Sequence, residues 1–442
     1  MLFSMIDSLR HFFSGKKTVL WGLGAEGKAT VEFLLNSIPG TLFTVSDRDP
    51  QALQSLDDPR IIKIEEKELL RQIDRFELIV KSPGVRTAHL GFDPSIKEKI
   101  VSQADIFLSF WPGKTVGVTG SKGKSTTSSL IYHLLKEGGF KAYLGGNIGI
   151  PPFHLLPFAD EKAIAVLELS SYQLEYCKHS PAIALWLNLF HEHLNYHGSF
   201  EAYAQAKSHI GRFQSPKDYF IYDPGDQALE LFLLSQEKMP GIPLPVEGKG
   251  RSQVDLSRLG IPGRHNKKNA LFAARVALLL GMPAEAISEA LSSFRGLPHR
   301  LEYVATVGGI SYYNDSISTV PEATLAGIEA IPSVRTLIVG GQDRGVDLGL
   351  FCARLCTVQE LETLILLPET GWRIGFLLKE MGFKKNLFLV KSLEEAVELA
   401  GRYTPKGYSC LFSPAAPSYH LYLNFEKRGE HFKSLVLQLK QS

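Results

Sequence analysis

Cysteine is scarce in this chain, with four in 442 residues. Only Cys352 and Cys356 lie close together, and their spacing fits two positions on one helix face, not a zinc knuckle or a redox pair. A disulfide framework is thereby excluded and reduced thiols are expected. Neither sign of charge is in excess: 48 Lys and Arg stand against 46 Asp and Glu, which removes any bulk electrostatic reason to expect a nucleic acid or a membrane surface as partner. Long hydrophobic runs are missing too. The stretch LFAARVALLL contains Arg275 and ends at Gly281, so it reads as a buried helix and not as a membrane span. The first residues, MLFSMIDSLRHFF, mix charges among the apolar positions and are followed by no small-residue cleavage site, so a secretory leader is not expected. Repeats of solenoid period and low-complexity linkers are also lacking. The expectation is a cytoplasmic, monomeric protein without membrane insertion.

What the chain does have is length and an alternation of short β-rich runs with helical patterns, the signature of wound parallel sheets. At 442 residues two or three cores are expected. The fold class is α/β, with domains at residues 1–111, 112–297 and 298–442. Strands are expected at TVLWGLG, TLFTVSD, LIVKSPG and IFLSF in the first domain and at KTVGVTG, AIAVLELSS and IALWLNLF in the second. In the third, HRLEYVATVGG, TLIVGG, TLILLPE, LFLVK and YSCLFSP follow. Ligands of such sheets gather beyond the carboxyl ends of strands, which makes GGQDRG and SPAAPS candidate site loops.

The strongest local signal runs from Gly117 through Gly120, Gly123, Lys124, Ser125 and Thr126, after a β-rich run and at the opening of a helix whose apolar face is Leu130, Ile131, Leu134 and Leu135. Glycines let backbone amides curl round phosphate oxygens, Lys124 can neutralise the outer phosphates, and Ser125 can ligate Mg²⁺. The segment reads as a loop for a nucleoside triphosphate, although Val118 stands where the usual spelling has its first glycine. In the first domain Gly22, Gly24 and Gly27 form a GxGxxG turn, with Asp47 about twenty residues on after a second strand. Taken alone, that turn suggests a dinucleotide-binding dehydrogenase; the triphosphate loop downstream argues against it.

The run GVTGSKGKST resembles the ATP loop of Mur ligases and of the related folylpolyglutamate synthases. The order of further motifs is similar to that of the glutamate-adding Mur ligases: Gly145-Gly146-Asn147-Ile148-Gly149, Leu167-Glu168-Leu169-Ser170-Ser171, Glu192-His193, Ala206-Lys207, Gly263-Arg264-His265-Asn266 with Asn269, Leu297-Pro298-His299-Arg300, Asn314-Asp315-Ser316 and Ser413-Pro414-Ala415. The resemblance spans the chain. It implies a Rossmann-like first domain holding UDP, a central P-loop ATPase-type domain, and a Rossmann-like third domain that closes over the nucleotide and brings the amino acid. Folylpolyglutamate synthases begin almost directly with the ATPase domain, so the first domain disfavours that relative. A nucleotide-binding regulator without catalysis is the remaining rival.

By the same resemblance, Glu168 and His193 join Ser125 as Mg²⁺ ligands, two ions being implied, and Lys207 is carbamoylated by CO₂ and bridges to the metal. Lys124, Glu168, His193 and Lys207 are the implied catalytic set. Gly120, Gly123, Lys124, Ser125, Thr126, Asn266, Asn269, Arg300 and Asp315 would hold ATP. Gly24, Asp47, Ser82, Gly84, Asn147, Ser170, Arg344, Ser418 and Phe425 would contact the other substrates, UDP-N-acetylmuramoyl-L-alanine and glutamate. The implied reaction activates a carboxylate as an acyl phosphate and lets an amine attack it through a tetrahedral intermediate. Three positions depart from the pattern. Glu192 stands where aspartate is usual, Ile317 where D-glutamate-adding members have lysine, and Arg344 lies in a loop that usually bears lysine. The last two resemble a branch that includes L-glutamate-adding ligases, so D-glutamate is the first expectation and L-glutamate the second.

Overall fold

The computed structural model describes residues 2–38, 40–148, 150–236, 238–247, 254–331, 333–343, 345–418 and 421–439. Its described residues form three sheets. The first orders β1 (Thr18–Trp21), β2 (Phe43–Asp47), β3 (Ile61–Glu65), β4 (Leu78–Lys81) and β5 (Ile100–Val101) as β3-β2-β1-β4-β5, every pair parallel. The second orders β6 (Lys114–Thr119), β7 (Ala142–Gly146), β8 (Ile164–Glu168), β9 (Ile183–Trp186), β10 (Tyr219–Tyr222) and β11 (Ile242–Pro245) as β11-β10-β9-β6-β8-β7, again all parallel. The third contains β12 (Glu302–Val307), β13 (Ile310–Asn314), β14 (Val334–Gly341), β15 (Thr363–Glu369), β16 (Asn386–Leu389) and β17 (Ser409–Phe412) in the order β12-β13-β17-β14-β15-β16. Only its β12–β13 pair is antiparallel. The α/β class follows from these sheets.

Sequence dictates the central strands directly. A parallel strand covered by helices on both faces must be apolar throughout, and β8 and β9 are buried at every position. By contacts the chain divides into two compact units, Met1–Leu259 with Lys267–Ser292, and Gly260–Asn266 with Ser293–Ser442. The first two sheets thus belong to one unit, and one apolar core joins Leu20, Val45 and Val80 of the first sheet to Ala165, Leu167 and Trp186 of the second. The third sheet has its own cores on its two faces, built round Leu337 and Leu366 on one and Ile338 and Phe412 on the other.

One expected strand is a helix. Ile106–Phe110, the IFLSF run, lies within the helix Gln103–Phe110, which begins where Ser102 Oγ accepts the Asp105 amide at 3.1 Å. Ala104, Ile106 and Phe107 are buried in the core, and an apolar run this short carries no period that separates strand from helix. The fifth strand is instead Ile100–Val101, and β3 was not anticipated, since its pattern buries only Ile61 and Ile64. The Arg264–Leu279 helix agrees with the buried-helix reading of LFAARVALLL, and Cys352 and Cys356 share the helix Gly349–Thr357. All four cysteines are free thiols. Among the described residues no helix is long and apolar enough to cross a membrane.

Candidate active site

Strand β6 delivers the chain into a turn that only glycine can make. Gly120 has φ +152° and Gly123 φ +86°, and a Cβ on Gly123 would stand 2.7 Å from Asn269 Oδ1. Gly123 is then the N-cap of the helix Lys124–Glu137, with no side chain capping it, so the positive end of the helix dipole points into the turn. Lys124 Nζ folds back on the turn, donating to Gly120 O at 2.9 Å and Ser121 O at 3.0 Å. Ser125 is half-buried and Thr126 buried in the first helical turn. Such a cradle suits an anion, and phosphate oxygens would draw Lys124 off its own carbonyls.

A second amine shares that carbonyl. Lys207, on the helix Phe200–Arg212, is 1 % exposed. Its Nζ donates to Gly120 O at 2.9 Å and lies 3.4 Å from Thr119 Oγ1 and 4.8 Å from the centre of the Tyr203 ring. Burial pushes its pKa well below the ordinary lysine value and the Lys124 charge adds to this, while Glu192 and Glu168 act the other way. Glu168 closes β8, opposite Val118 of β6. It is 2 % exposed; Oε1 accepts Asn147 Nδ2 at 2.8 Å, whereas Oε2 is buried without a hydrogen-bond partner. A buried carboxylate oxygen left so is costly and fits a cation. His193 has φ 55° and is the N-cap of the short helix Leu194–His197. Its ring lies edge-on to Tyr172 at 5.1 Å. Burial lowers its pKa, with Lys207, Lys124 and Lys122 contributing and Glu192 opposing, which favours the neutral imidazole, the form that binds metal. Glu192 pairs with Lys122 of the glycine turn. Among the described residues no three His, Cys, Asp or Glu side chains converge on one point. A Mg²⁺ bound through phosphates and waters needs only one or two protein carboxylates, and the residues present fit such an ion.

In the same unit a cleft of about 880 Å³ is lined by Gly22, Gly24, Asp47, Ser82, Gly84 and Asn147 among others. Gly22 has φ +98°, and a Cβ there would lie 2.7 Å from Val85 Cγ2 and 2.9 Å from Ser82 Cβ, while one on Gly27 would reach 1.9 Å from Gly22 O. The turn and the Ser82 loop are therefore in direct contact, joined by Ser82 Oγ donating to Gly22 O at 2.6 Å. Asp47 Oδ2 accepts the Leu23 amide at 2.6 Å and Oδ1 the Asp49 amide at 2.8 Å, which pins the turn to the end of β2. Ser170 is the N-cap of Ser171–Leu174 in a capping box with Gln173, so its hydroxyl has a structural task. Asn147 belongs to the cleft and to the Glu168 pair at once, and its amide also donates to Glu168 O at 2.8 Å.

Residues 118–240 match the profile of the Mur ligase middle domain. A UDP-N-acetylmuramoylalanine--D-glutamate ligase of Clostridium kluyveri is 30% identical over 455 residues, covering 97% of this chain and 98% of its own. The ligase of the same name from Caldanaerobacter subterraneus subsp. tengcongensis is 33% identical, covering 96% and 99%. The chain belongs to the Mur ligase family. It is therefore an ATP-dependent ligase that forms peptide bonds. The fold is similar to that of the UDP-N-acetylmuramate-alanine ligase of Thermotoga maritima (TM-score 0.59, 18% identity, 96% and 99% covered) and of the MurF ligase of that organism solved with ADP (0.56, 17%, 96% and 96%).

The second unit of this Mur ligase holds Asn266, Arg300, Asp315, Ser418 and Phe425. Asp315 follows β13, is 2 % exposed, and accepts Ser413 Oγ at 2.7 Å and the Leu301 amide at 3.1 Å. Burial raises its pKa to about 6 against those hydrogen bonds and the Arg300 charge. Arg300 also helps burial lower the pKa of His265. Asn266 Nδ2 donates to Pro262 O at 2.6 Å, a local bond at the start of the helix, while Asn269 belongs to the first unit against Gly123. Ser418 is buried, its carbonyl accepting the Tyr422 amide at 2.9 Å, and Phe425 opens the last helix with its ring 6.2 Å from His299. Arg344 lies outside the described residues. Ile317 is held by its amide to His299 O at 3.1 Å.

Sequence reasoning missed Lys81, Glu26 and Tyr196. Burial raises the pKa of Glu26, inside the glycine turn, to about 7, against a Gln173 hydrogen bond and the Lys81 charge. A signal existed: Lys81 ends the apolar run LIV, the same pattern that singled out Glu168 after AIAVL.

Proposed function

We propose that this Mur ligase joins D-glutamate to UDP-N-acetylmuramoyl-L-alanine, with ATP converted to ADP and phosphate. The terminal phosphoryl group moves from ATP to the alanyl carboxylate, giving an acyl phosphate; the glutamate amine then attacks the carbonyl carbon, and the tetrahedral intermediate expels phosphate as the amide forms. Residues 1–111 would hold the UDP substrate, 112–297 the ATP, and 298–442 the amino acid. The chain would act as a cytoplasmic monomer.

In this reading the phosphate turn and Lys124 orient and neutralise the outer phosphates. Ser125, Glu168 and His193 would hold Mg²⁺, two ions in all, which supplies charge neutralisation where negative charge grows. Lys207, whose burial favours the neutral amine, would add CO₂ and lose a proton to become a carbamate facing the same charge. Arg300, Asp315, Asn266 and Asn269 would grip the nucleotide, and Arg344, Ser418 and Phe425 the glutamate. Asn147 carries the reading, because it lines the cleft and hydrogen-bonds Glu168 beside the phosphate turn. The relatives' shared name supports the D isomer, whereas Ile317, in place of the family lysine, favours L-glutamate as a second reading.

The test is phosphate release from ATP with UDP-N-acetylmuramoyl-L-alanine and D- or L-glutamate in separate reactions. Turnover with D-glutamate alone is expected, turnover with L-glutamate alone selects the second reading, and silence with both refutes the acceptor.

A further inference from the structure

Beneath the cleft lies a buried charge cluster that the proposed chemistry does not use. Lys81, at the end of β4, is 2 % exposed; its Nζ lies 3.3 Å from Glu175 Oε2 and donates to the Tyr196 hydroxyl at 3.0 Å. Tyr196 sits in the short helix that starts at His193, its ring 4.2 Å from that of Tyr172. Its hydroxyl leaves that segment and meets the far wall of the cleft: Val85 O at 2.8 Å and Pro83 O at 3.1 Å, with Glu175 Oε2 at 3.2 Å. Pro83 and Val85 line the cleft on either side of Gly84. A phenol has one proton, and here it faces three acceptors, so the nearest, Val85 O, takes it while Lys81 serves the phenol oxygen and Glu175. At the present spacing between the Ser82–Val85 loop and the His193 segment, Lys81 Nζ, the Tyr196 hydroxyl and Val85 O are all partnered, and in a buried setting an unsatisfied partner is expensive.

We propose that Tyr196 is a positioning residue that couples the two ends of the site, its hydroxyl tying the Ser82–Val85 wall of the cleft to the segment carrying His193, so that a UDP-bearing ligand and a Mg²⁺–nucleotide each tighten the binding of the other. This rests on the reading of the cleft and the phosphate turn given above. A ligand pressing on the Pro83–Val85 backbone shifts the phenol, and the phenol shifts the helix that begins at His193; a nucleotide-bound ion acting on His193 works along the same chain in reverse. Such coupling is reciprocal by thermodynamic necessity.

The experiment is calorimetric titration of the full chain with UDP-N-acetylmuramoyl-L-alanine, with and without saturating Mg²⁺ and a nonhydrolysable ATP analogue. In the wild type the analogue tightens the UDP ligand about five-fold or more, the lower end of ordinary coupling. In Tyr196→Phe, which keeps the ring against Tyr172, the factor falls below about two-fold, the reverse titration shows the same loss, and the analogue alone still binds. Glu175→Gln, which removes the Lys81 counter-charge and keeps a hydrogen-bonding side chain, lowers the factor as well and decides the matter if Tyr196→Phe does not fold. A factor unchanged in the variants, or no coupling in the wild type, overturns the proposal while leaving the reading of the cleft intact. A wild type that binds the analogue but not the UDP ligand overturns that reading too.

Discussion

Replacing Lys207 by methionine separates what this side chain does for activity from what it does for the fold. Methionine keeps most of the stem that fills the space beside Tyr203 and deletes the amine. The two atoms that Nζ touches remain served: Gly120 O still accepts Lys124 Nζ at 2.9 Å, and Thr119 Oγ1 still donates to Leu169 O at 2.7 Å. No buried acceptor is orphaned, and a poorly solvated amine is gone, so stability at pH 7 should be unchanged or higher by about 1–3 kcal/mol. The difference should depend on pH. Because the folded-state pKa of Lys207 is depressed, the unfolded chain binds more protons between that value and the ordinary 10.5, and wild-type stability rises with pH across this window. The methionine variant lacks that slope, so its advantage shrinks toward pH 10.5. Urea unfolding in bicarbonate-free buffer over this range measures it. Phosphate release should fall by about 10²-fold or more, the scale of losing one charge-stabilising group, and Lys207→Ala should recover part of its activity with short carboxylate additives. A methionine variant destabilised by more than about 2 kcal/mol, or retaining most of its turnover, would refute the argument.

Lys124→Ala should abolish turnover by removing phosphate neutralisation while UDP-substrate affinity changes less than about two-fold, as calorimetry would report; retained turnover would remove the phosphate turn from the mechanism. Gly22→Ala puts a methyl 2.7 Å from Val85 Cγ2 at φ +98°; we expect about 1–3 kcal/mol of lost stability and weaker UDP-substrate binding with nucleotide affinity retained. The raised pKa of Asp315 means the folded chain holds its proton more readily than the unfolded one between 3.8 and about 6. Its contribution therefore declines as pH rises through that window, by about 3 kcal/mol in all. Unfolding titrations of Asp315→Asn should lack this slope, and an unaltered slope would show that another group causes it.

Strand–turn–helix punctuation and the fully apolar parallel strands were legible in the sequence, because they arise from local sterics and from burial on both faces of a sheet. Glycine at 22, 27, 120 and 123 could be read for the same reason: backbone torsion and close approach leave few alternatives. Where local signals are ambiguous the sequence failed, as at Ile106–Phe110, whose helix is decided by the Ser102 cap and the core that receives Phe107. Lys124 could be named from its motif, and Glu168, His193 and Lys207 from the family resemblance. Their chemistry could not, since the low pKa of Lys207 and the unpartnered oxygen of Glu168 arise from desolvation by segments distant in sequence. Sequence by itself thus determined the fully apolar parallel strands, the glycine turns and the identities of the polar groups near them. Tertiary structure alone decided that Asn147 reaches Glu168 and that Tyr196 reaches Val85, because hydrogen bonds depend on distances between backbone segments and those distances exist only once the sheets have packed.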